Sequence, residues 1–375
     1  MIRASSLQNV LPRGFRRTLL SPSLIITDCD LRTNQHQPPS HGPYPSAFAA
    51  GGLTPSPNPD IPVSAVLLSL FAVALLTHLT IFFHNTRTDT PARPRKFIFS
   101  LLLFGFCMTR IAALSLRIAW ARTPFNVNVA IAAGVLTNAG VLILFIVNII
   151  LGIRVLKGCL PQIGWRKEVY WGLRGILGTV VGVLVMVVVC NVHSLFTLDA
   201  HTRQIEREVL LFAGVYMSVL AFLPAVGMAV LFVVMESNGG ERWKRAENFG
   251  TGKMTTKMGM LLGASLLLTL GAGFRCGVSF AARPLANPGW WHGKAPFYVF
   301  SFALDSVVVY MYAIMRFDRR FCVPPNCKGP GDYSRVTMQE EDGEEGGKKD
   351  GARDASPPGA SVEKKRSVGD GDSMA

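Results

Sequence analysis

The 375-residue sequence contains no Asn-x-Ser/Thr acceptor, so N-linked glycosylation is not expected. It has no Gly-rich phosphate loop following a strand, which argues against an ATP-driven pump. Its histidines, among them His78, His84, His193, His201 and His292, stand singly near the ends of apolar segments or in connections. An intramembrane zinc hydrolase needs several such ligands at one depth. The last apolar segment holds no interior lysine, so a retinal Schiff base is excluded. Ser194, His193 and Asp199 are neighbours in sequence, which is not triad geometry. Among Cys29, Cys107, Cys159, Cys190, Cys276, Cys322 and Cys327, none pairs obviously between two outer connections. Cys322 and Cys327 lie beside Arg319 and Arg320, and both S-palmitoylation and two plain cytosolic thiols remain open for them. The sequence therefore points to no catalytic residue, no metal and no cofactor, and the chain is read as a non-enzyme.

What the sequence does contain is seven apolar blocks, each about the ~20 residues needed to cross a hydrocarbon core of roughly 30 Å as a helix. They run Ile61–Phe83, Phe97–Trp120, Val127–Ile153, Val169–Val192, Glu208–Met235, Met254–Ala282 and Ala295–Met315. The expected fold is all-α, an integral membrane bundle of seven transmembrane helices over residues 61–320. Residues 1–60 form an N-terminal extension, dense in Pro, Gly, Ser and Ala from Gln37 to Pro62, and residues 321–375 form a polar tail. Both compositions predict disorder. The Arg-rich opening, with Arg3, Arg13, Arg16 and Arg17, resembles an organellar presequence, but no apolar core of a secretory signal precedes Ile61, and the first span is read as the insertion signal.

The formal net charge of +14 lacks the compact basic face with interleaved aromatics that nucleic-acid binding requires. It is better read as topology. One set of connections holds Arg87, Arg93, Arg95 and Lys96, then Arg154, Lys157, Arg166 and Lys167, then Arg242, Lys244, Arg245 and Lys253, then Arg316, Arg319, Arg320 and Lys328. The alternate set holds only Arg122, then Arg203 and Arg207, then Arg283 and Lys294. By the positive-inside rule the first set is cytosolic, which places the N-terminus outside or in a lumen and the C-terminus in the cytosol. Plasma membrane and endomembranes are both compatible with this.

A charged residue inside a span costs at least ~2.5 kcal/mol on insertion scales and persists only against protein or water. Arg110, Arg117, Arg275 and Asp305 are such residues. At about 1.5 Å rise per residue, Arg110 and Asp305 each lie roughly 15 Å below the outer ends of their spans, Asn138 lies at a similar depth, Arg275 lies roughly 10 Å down, and Arg117 is nearer the surface. The expected polar cluster comprises Arg110, Arg117, Asn138, Arg275 and Asp305, with Arg110 and Asp305 as its ion pair. Two readings follow. In one, Arg110, Asn138 and Asp305 hold the helices together while Arg117 and Arg275 snorkel outward. In the other, Arg117 and Arg275 contact the head group of an anionic or amphipathic ligand. Gly172, Gly175, Gly178 and Gly182, with Gly259 and Gly263, are expected to let helices approach closely, inside the bundle or between copies. Pro224 is expected to kink the fifth span.

Five stretches carry a family resemblance: RKFIFSLLLFGFCMTRIAALSLRIAW from Arg95, IAAGVLTNAGVLILFIVNIILGIRVL from Ile131, FGTGKMTTK from Phe249, GAGFRCG from Gly271 and DRRFCVPPNCKGPGDYS from Asp318. Over about Ile61 to Ser334 the chain resembles a fungal family of multi-span membrane proteins, domain of unknown function 3112. The resemblance implies a fungal integral membrane protein and assigns no activity. It adds interest to Phe274, Arg275 and Cys276, which fall in one of its motifs. Two functions fit the layout: a receptor-like sensor, meeting a cytosolic signalling partner through Arg242, Lys244 and Arg245 or the tail, where Ser367 follows Lys364, Lys365 and Arg366, and a transporter or lipid-handling protein for an anionic amphiphile. The third span lacks an Asp-Arg-Tyr-like end and the last lacks Asn-Pro-x-x-Tyr, and no inverted repeat is visible.

Overall fold

The structure, a computed structural model, describes residues 49–87, 98–194, 196–197, 199–237, 240–323, 327 and 329–333. The outer parts of both tails, 1–48 and 334–375, lie outside the described residues, as do Cys29 and Lys328. Seven helices are long and apolar enough to cross a membrane: α1 (Pro57–Arg87), α2 (Ile98–Arg122), α3 (Val127–Cys159), α4 (Lys167–His193), α5 (Ala200–Glu236), α6 (Met254–Phe280) and α7 (Lys294–Ile314). The chain is a helical integral membrane protein. The odd connections among the described residues, α3 to α4 and α5 to α6, gather at one end, here the Glu247 end. The even connections gather at the other, the Asp60 end.

Continuous apolar sequence gives helices whose backbone groups are satisfied internally, as a lipid solvent demands. Side chains cap two of the helix starts. Asn126 accepts from the Val129 amide at 3.4 Å at the start of α3, and Asp199 accepts from the Thr202 amide at 3.0 Å at the start of α5. Exposed Tyr170 and Trp171 lie at the Glu247 end of α4, and exposed Trp290 lies beside α7 at the Asp60 end. That is where amphipathic rings settle at a membrane interface.

Burial separates a central helix from a peripheral one. In α3, 61% of the most apolar window is buried, with Leu144, Phe145, Val147 and Leu151 fully enclosed; in α4 the share is 6%. α3 is therefore the core of the bundle, with α2, α5, α6 and α4 around it, α1 against α2, and α7 between α1 and α6. α7 is composite. An α-helical start, Lys294–Tyr298, passes through a π-helical turn, Val299–Ala303, into α-helix again at Leu304–Ile314. Local π turns of this kind concentrate at functional sites. α5 runs through buried Pro224 as one helical element.

Two expectations change. The first span starts at Pro57, not Ile61, and residues before it are packed: the Ala49 amide donates to the Arg283 carbonyl at 2.8 Å and the Gly52 amide to the His292 carbonyl at 3.0 Å. The Pro-rich composition concealed this, because its order comes from tertiary hydrogen bonds and not from local pattern. Likewise, a Cβ at Gly172, Gly175, Gly178, Gly182, Gly259 or Gly263 would meet nothing within 4 Å, so these glycines are not the close-packing points inside the bundle. Gly271 is one. A Cβ there would fall 2.8 Å from the Phe300 carbonyl oxygen, so α6 meets the π turn of α7 backbone to backbone.

Candidate functional site

Polar residues line one side of α7 from end to end. Lys294, Tyr298, Asp305 and Tyr312 are spaced four, seven and seven residues apart, which keeps them near one helical face. Each level bonds to a different set of neighbours.

At the Asp60 end the centre is Asp60 itself, 1% exposed at the start of α1. Its carboxylate accepts from Lys294 Nζ at 2.5 Å, Arg117 Nη2 at 3.2 Å, the Tyr298 hydroxyl at 2.7 Å and the Ser56 amide at 2.9 Å. Arg117 also donates to the Gly52 carbonyl at 2.9 Å and, through Nε, to the Tyr298 oxygen at 3.0 Å, with its guanidinium over the Phe297 ring at 4.2 Å. One carboxylate thus ties α1, α2, α7 and the docked residues before Pro57. Two full positive charges surround it. A buried carboxylate with this many charge-assisted donors is held ionised and in place.

Two turns deeper, Arg110 of α2 and Asp305 of α7 form an ion pair. Arg110 is fully buried and Asp305 is 3% exposed. Arg110 Nη1 donates to the Thr137 carbonyl at 2.7 Å, and its guanidinium lies 5.2 Å from the Phe106 and Phe302 ring centroids. Its Nε is buried and has no hydrogen-bond partner among the described residues. Arg275 of α6 stands within electrostatic range of both Asp305 and Arg110, and its Nη1 is also buried without a partner. One guanidinium therefore pairs with Asp305 and a second lies within its field.

Deeper still, the Tyr312 hydroxyl donates to Asn148 Oδ1, and Asn148 Nδ2 donates to Ser265 at 3.2 Å, joining α7, α3 and α6. α7 ends where Arg316 takes a left-handed conformation, φ 49°. The chain then turns, Asp318 is buried, and it accepts from Arg316 Nη2 at 3.1 Å and Asn85 Nδ2 at 3.1 Å. The FGTG stretch of the α5–α6 connection lies against this turn. The Thr251 amide donates to the Arg319 carbonyl at 3.0 Å. Gly250, φ +59°, leaves no room for a Cβ beside the Arg320 carbonyl.

Glu247 closes the same end. Its amide donates to the Gly158 carbonyl at 2.9 Å, while its carboxylate accepts from the amides of Gly331 at 2.7 Å and Tyr333 at 3.3 Å. The Tyr333 ring sits 5.3 Å from Phe249 and 5.7 Å from Trp165, and burial pushes its phenol up to about 12. This segment, within the span 321–375 expected to be disordered, is held by two elements that sequence separates from it by about 85 residues or more.

Of the five residues expected in the cluster, Arg110, Asp305 and Arg275 come together. Arg117 neither snorkels nor stands free for a ligand; it is 5% exposed and paired with Asp60. Asn138 is not in the cluster. Its side chain is exposed and donates back to the Gly134 carbonyl at 3.1 Å, and the group that Arg110 reaches is the carbonyl of the preceding residue. Depth placed Asn138 correctly, but one residue rotates the helix by about 100°, and its side chain points elsewhere. Sequence reasoning missed Asp60, Lys294 and Tyr298. The available signal was the spacing of Lys294 and Tyr298 from Asp305 along one face.

On α4 and α5, His193 pairs with Glu206, Ser194 donates to the Asn191 carbonyl at 3.0 Å, and Asp199 caps α5. The hydrogen bonds from Thr202 hold the Asp199 carboxyl below its usual range. These three neighbours in sequence thus serve three separate ends.

No curated protein and no solved structure matches the chain. The matched family segment takes in α6, α7, the FGTG stretch and the turn after α7, and so contains Arg275, Lys294, Tyr298 and Asp305 but not Asp60, Arg110 or Arg117. It is shorter than residues 61–334, over which the sequence blocks carry the resemblance. Residues 241–322 match the family described as a protein of unknown function (DUF3112).

Proposed function

We propose that the chain is a heptahelical, non-enzymatic sensor, oriented with the Asp60 end outside or lumenal and the Glu247 end in the cytosol of a plasma or endomembrane. The observation that carries this reading is the polar column on α7, which meets a different pair of neighbours at every level: α1 and α2 at Asp60, α2 and α6 around Asp305, α3 and α6 at Tyr312. A ligand that altered one level would change the packing of the next. Interfaces of this kind are bistable and not continuously deformable. The column ends beside the FGTG stretch and the Glu247 latch, where Arg242, Lys244 and Arg245 offer a basic surface to a cytosolic signalling partner.

The unmatched positive charge at Arg275 supports a second reading, movement of an anionic amphiphile. One experiment separates them. Cells carrying wild type, Asp305→Asn, an Arg242/Lys244/Arg245→Ala variant and a chain ending after Tyr333 are compared by proximity labelling and by lipid and anionic-solute flux. A sensor loses or changes its cytosolic neighbours in the first two variants with flux unaltered. A transporter changes flux in Asp305→Asn and keeps wild-type flux in the truncated chain. Variants indistinguishable from wild type in both assays contradict both readings.

A further inference from the structure

We propose that Arg275 of α6 and Arg110 of α2 together bind one phosphate group, which reaches them from the Asp60 end of the bundle. Three observations converge on it. The charge does not balance: Arg110, Arg275 and Asp305 sum to +1, and the Arg110 guanidinium is flanked by the Phe106 and Phe302 rings. An unmatched charge inside a helical bundle favours a counter-ion. Donors are left over as well. Among the described residues, Arg110 Nε and Arg275 Nη1 are both buried without a partner, although Arg110 spends its other two nitrogens on Thr137 and Asp305. Leaving such donors unmade is costly, and an incoming oxygen anion satisfies them.

The third observation is position. Arg275 is half-buried and five residues from Phe280, the end of α6, so it lies roughly 8 Å below that end. This is head-group depth. The two guanidiniums come from different helices, and the several oxygens of one phosphate can accept from both. Arg117 and Lys294 are committed to Asp60 and do not compete. The site names the ligand chemistry that the sensor reading leaves open. Binding itself stands or falls separately from signalling.

Two sources share this chemistry: the head group of an anionic phospholipid entering from the bilayer, and free phosphate entering from the aqueous side. The test uses the purified full-length chain in phosphatidylcholine nanodiscs, in nanodiscs doped with phosphatidate, and in phosphatidylcholine nanodiscs with added inorganic phosphate. Bound lipid is counted by native mass spectrometry and stability is read by thermal unfolding. Wild type should gain one bound phosphatidate, or a phosphate-dependent rise in melting temperature, and Arg275→Gln should weaken that by about ten- to a hundredfold. Arg275→Lys should keep part of it. The lipid arm responding alone identifies a head-group site, and the phosphate arm responding alone identifies a soluble ligand. Equal responses of wild type and Arg275→Gln, or no response to either probe, overturn the proposal. So does an Arg275→Gln chain that melts as low as Asp305→Asn without any anion, since Arg275 would then be only a structural partner of Asp305. A failure here leaves the neighbour-labelling result untouched, so the two readings fail separately.

Discussion

Removing the carboxylate of Asp305 should destabilise the bundle more than removing the guanidinium of Arg110, although the two form one pair. Breaking a buried ion pair by deleting one partner costs about 3–5 kcal/mol, most of it from the charge left behind. Asp305→Asn leaves two guanidiniums, fully buried Arg110 and half-buried Arg275, with no carboxylate to offset them. Arg110→Gln leaves Asp305 with Arg275 still in electrostatic range, a neutral remainder. The first change therefore belongs near 5 kcal/mol and the second near 3, on the order of 10–20 °C and 6–12 °C in melting temperature at ~2–4 °C per kcal/mol. Thermal unfolding can be followed with a thiol-reactive fluorophore, because Cys107 is fully buried and Cys159 is 4% exposed until the helices part. The charge-exchanged chain, Arg110→Asp with Asp305→Arg, should recover part of the loss. Recovery is incomplete because the Thr137 carbonyl and the Phe106 and Phe302 faces are placed for a guanidinium on α2. Equal losses, the reverse order, or two variants within about 0.5 kcal/mol of wild type would refute the reasoning.

Four further outcomes are expected. Asp60→Asn should free Arg117 and Lys294 together and loosen the residues docked before Pro57, seen as faster hydrogen exchange at residues 49–56 with little change at 246–252. Gly250→Ala places a Cβ against the Arg320 carbonyl at a positive φ and should cost about 1–3 kcal/mol for the backbone conformation alone, lowering folded yield on size-exclusion chromatography, whereas Gly178→Ala should be silent. His292, fully enclosed at the Asp60 end, has its pKa lowered by burial, so the folded state favours the neutral ring. Its contribution is whole above the unfolded value near 6.5 and declines as pH falls from there through the folded value; a melting-temperature profile should show that decline, and His292→Phe should flatten it. Ending the chain after Lys328 removes the Gly331 and Tyr333 amides from Glu247 and should speed exchange at 246–252, while ending it after Tyr333 should not.

Which parts of the molecule were legible in sequence follows from what each inference used. The seven helices came from apolar length, a property of contiguous residues; most ends moved by four positions or fewer, but α3 ends at Cys159 instead of Ile153 and α5 starts at Ala200 instead of Glu208, where polar residues extend the helix beyond its apolar block. Arg110 and Asp305 could be matched because charge is rare in a span and depth is additive along a helix. Asn138 could not, because depth says nothing about which way a side chain points. Asp60 was hidden in a Pro-rich run whose composition signals disorder, while its order depends on Arg117, Lys294 and Tyr298, 57 to 238 residues away. Asn148, Ser265 and Tyr312 carry no charge and are individually unremarkable in a membrane helix, so nothing marked them as one network. The exposed glycines of α4 show the opposite failure. Their spacing suits close packing, yet no neighbouring helix of this chain comes to meet it.

The central claim is that the polar column on α7 carries a change at Asp305 to the Glu247 end. Hydrogen exchange on Asp305→Asn in nanodiscs, beside wild type and the exposed-site control Asn138→Ala, tests this most directly. Transmission along the column predicts faster exchange at residues 246–252 and 317–333 as well as around Asp305, with the control unchanged. Faster exchange confined to residues near Arg110 and Asp305, with the Glu247 end as protected as in wild type, would contradict it.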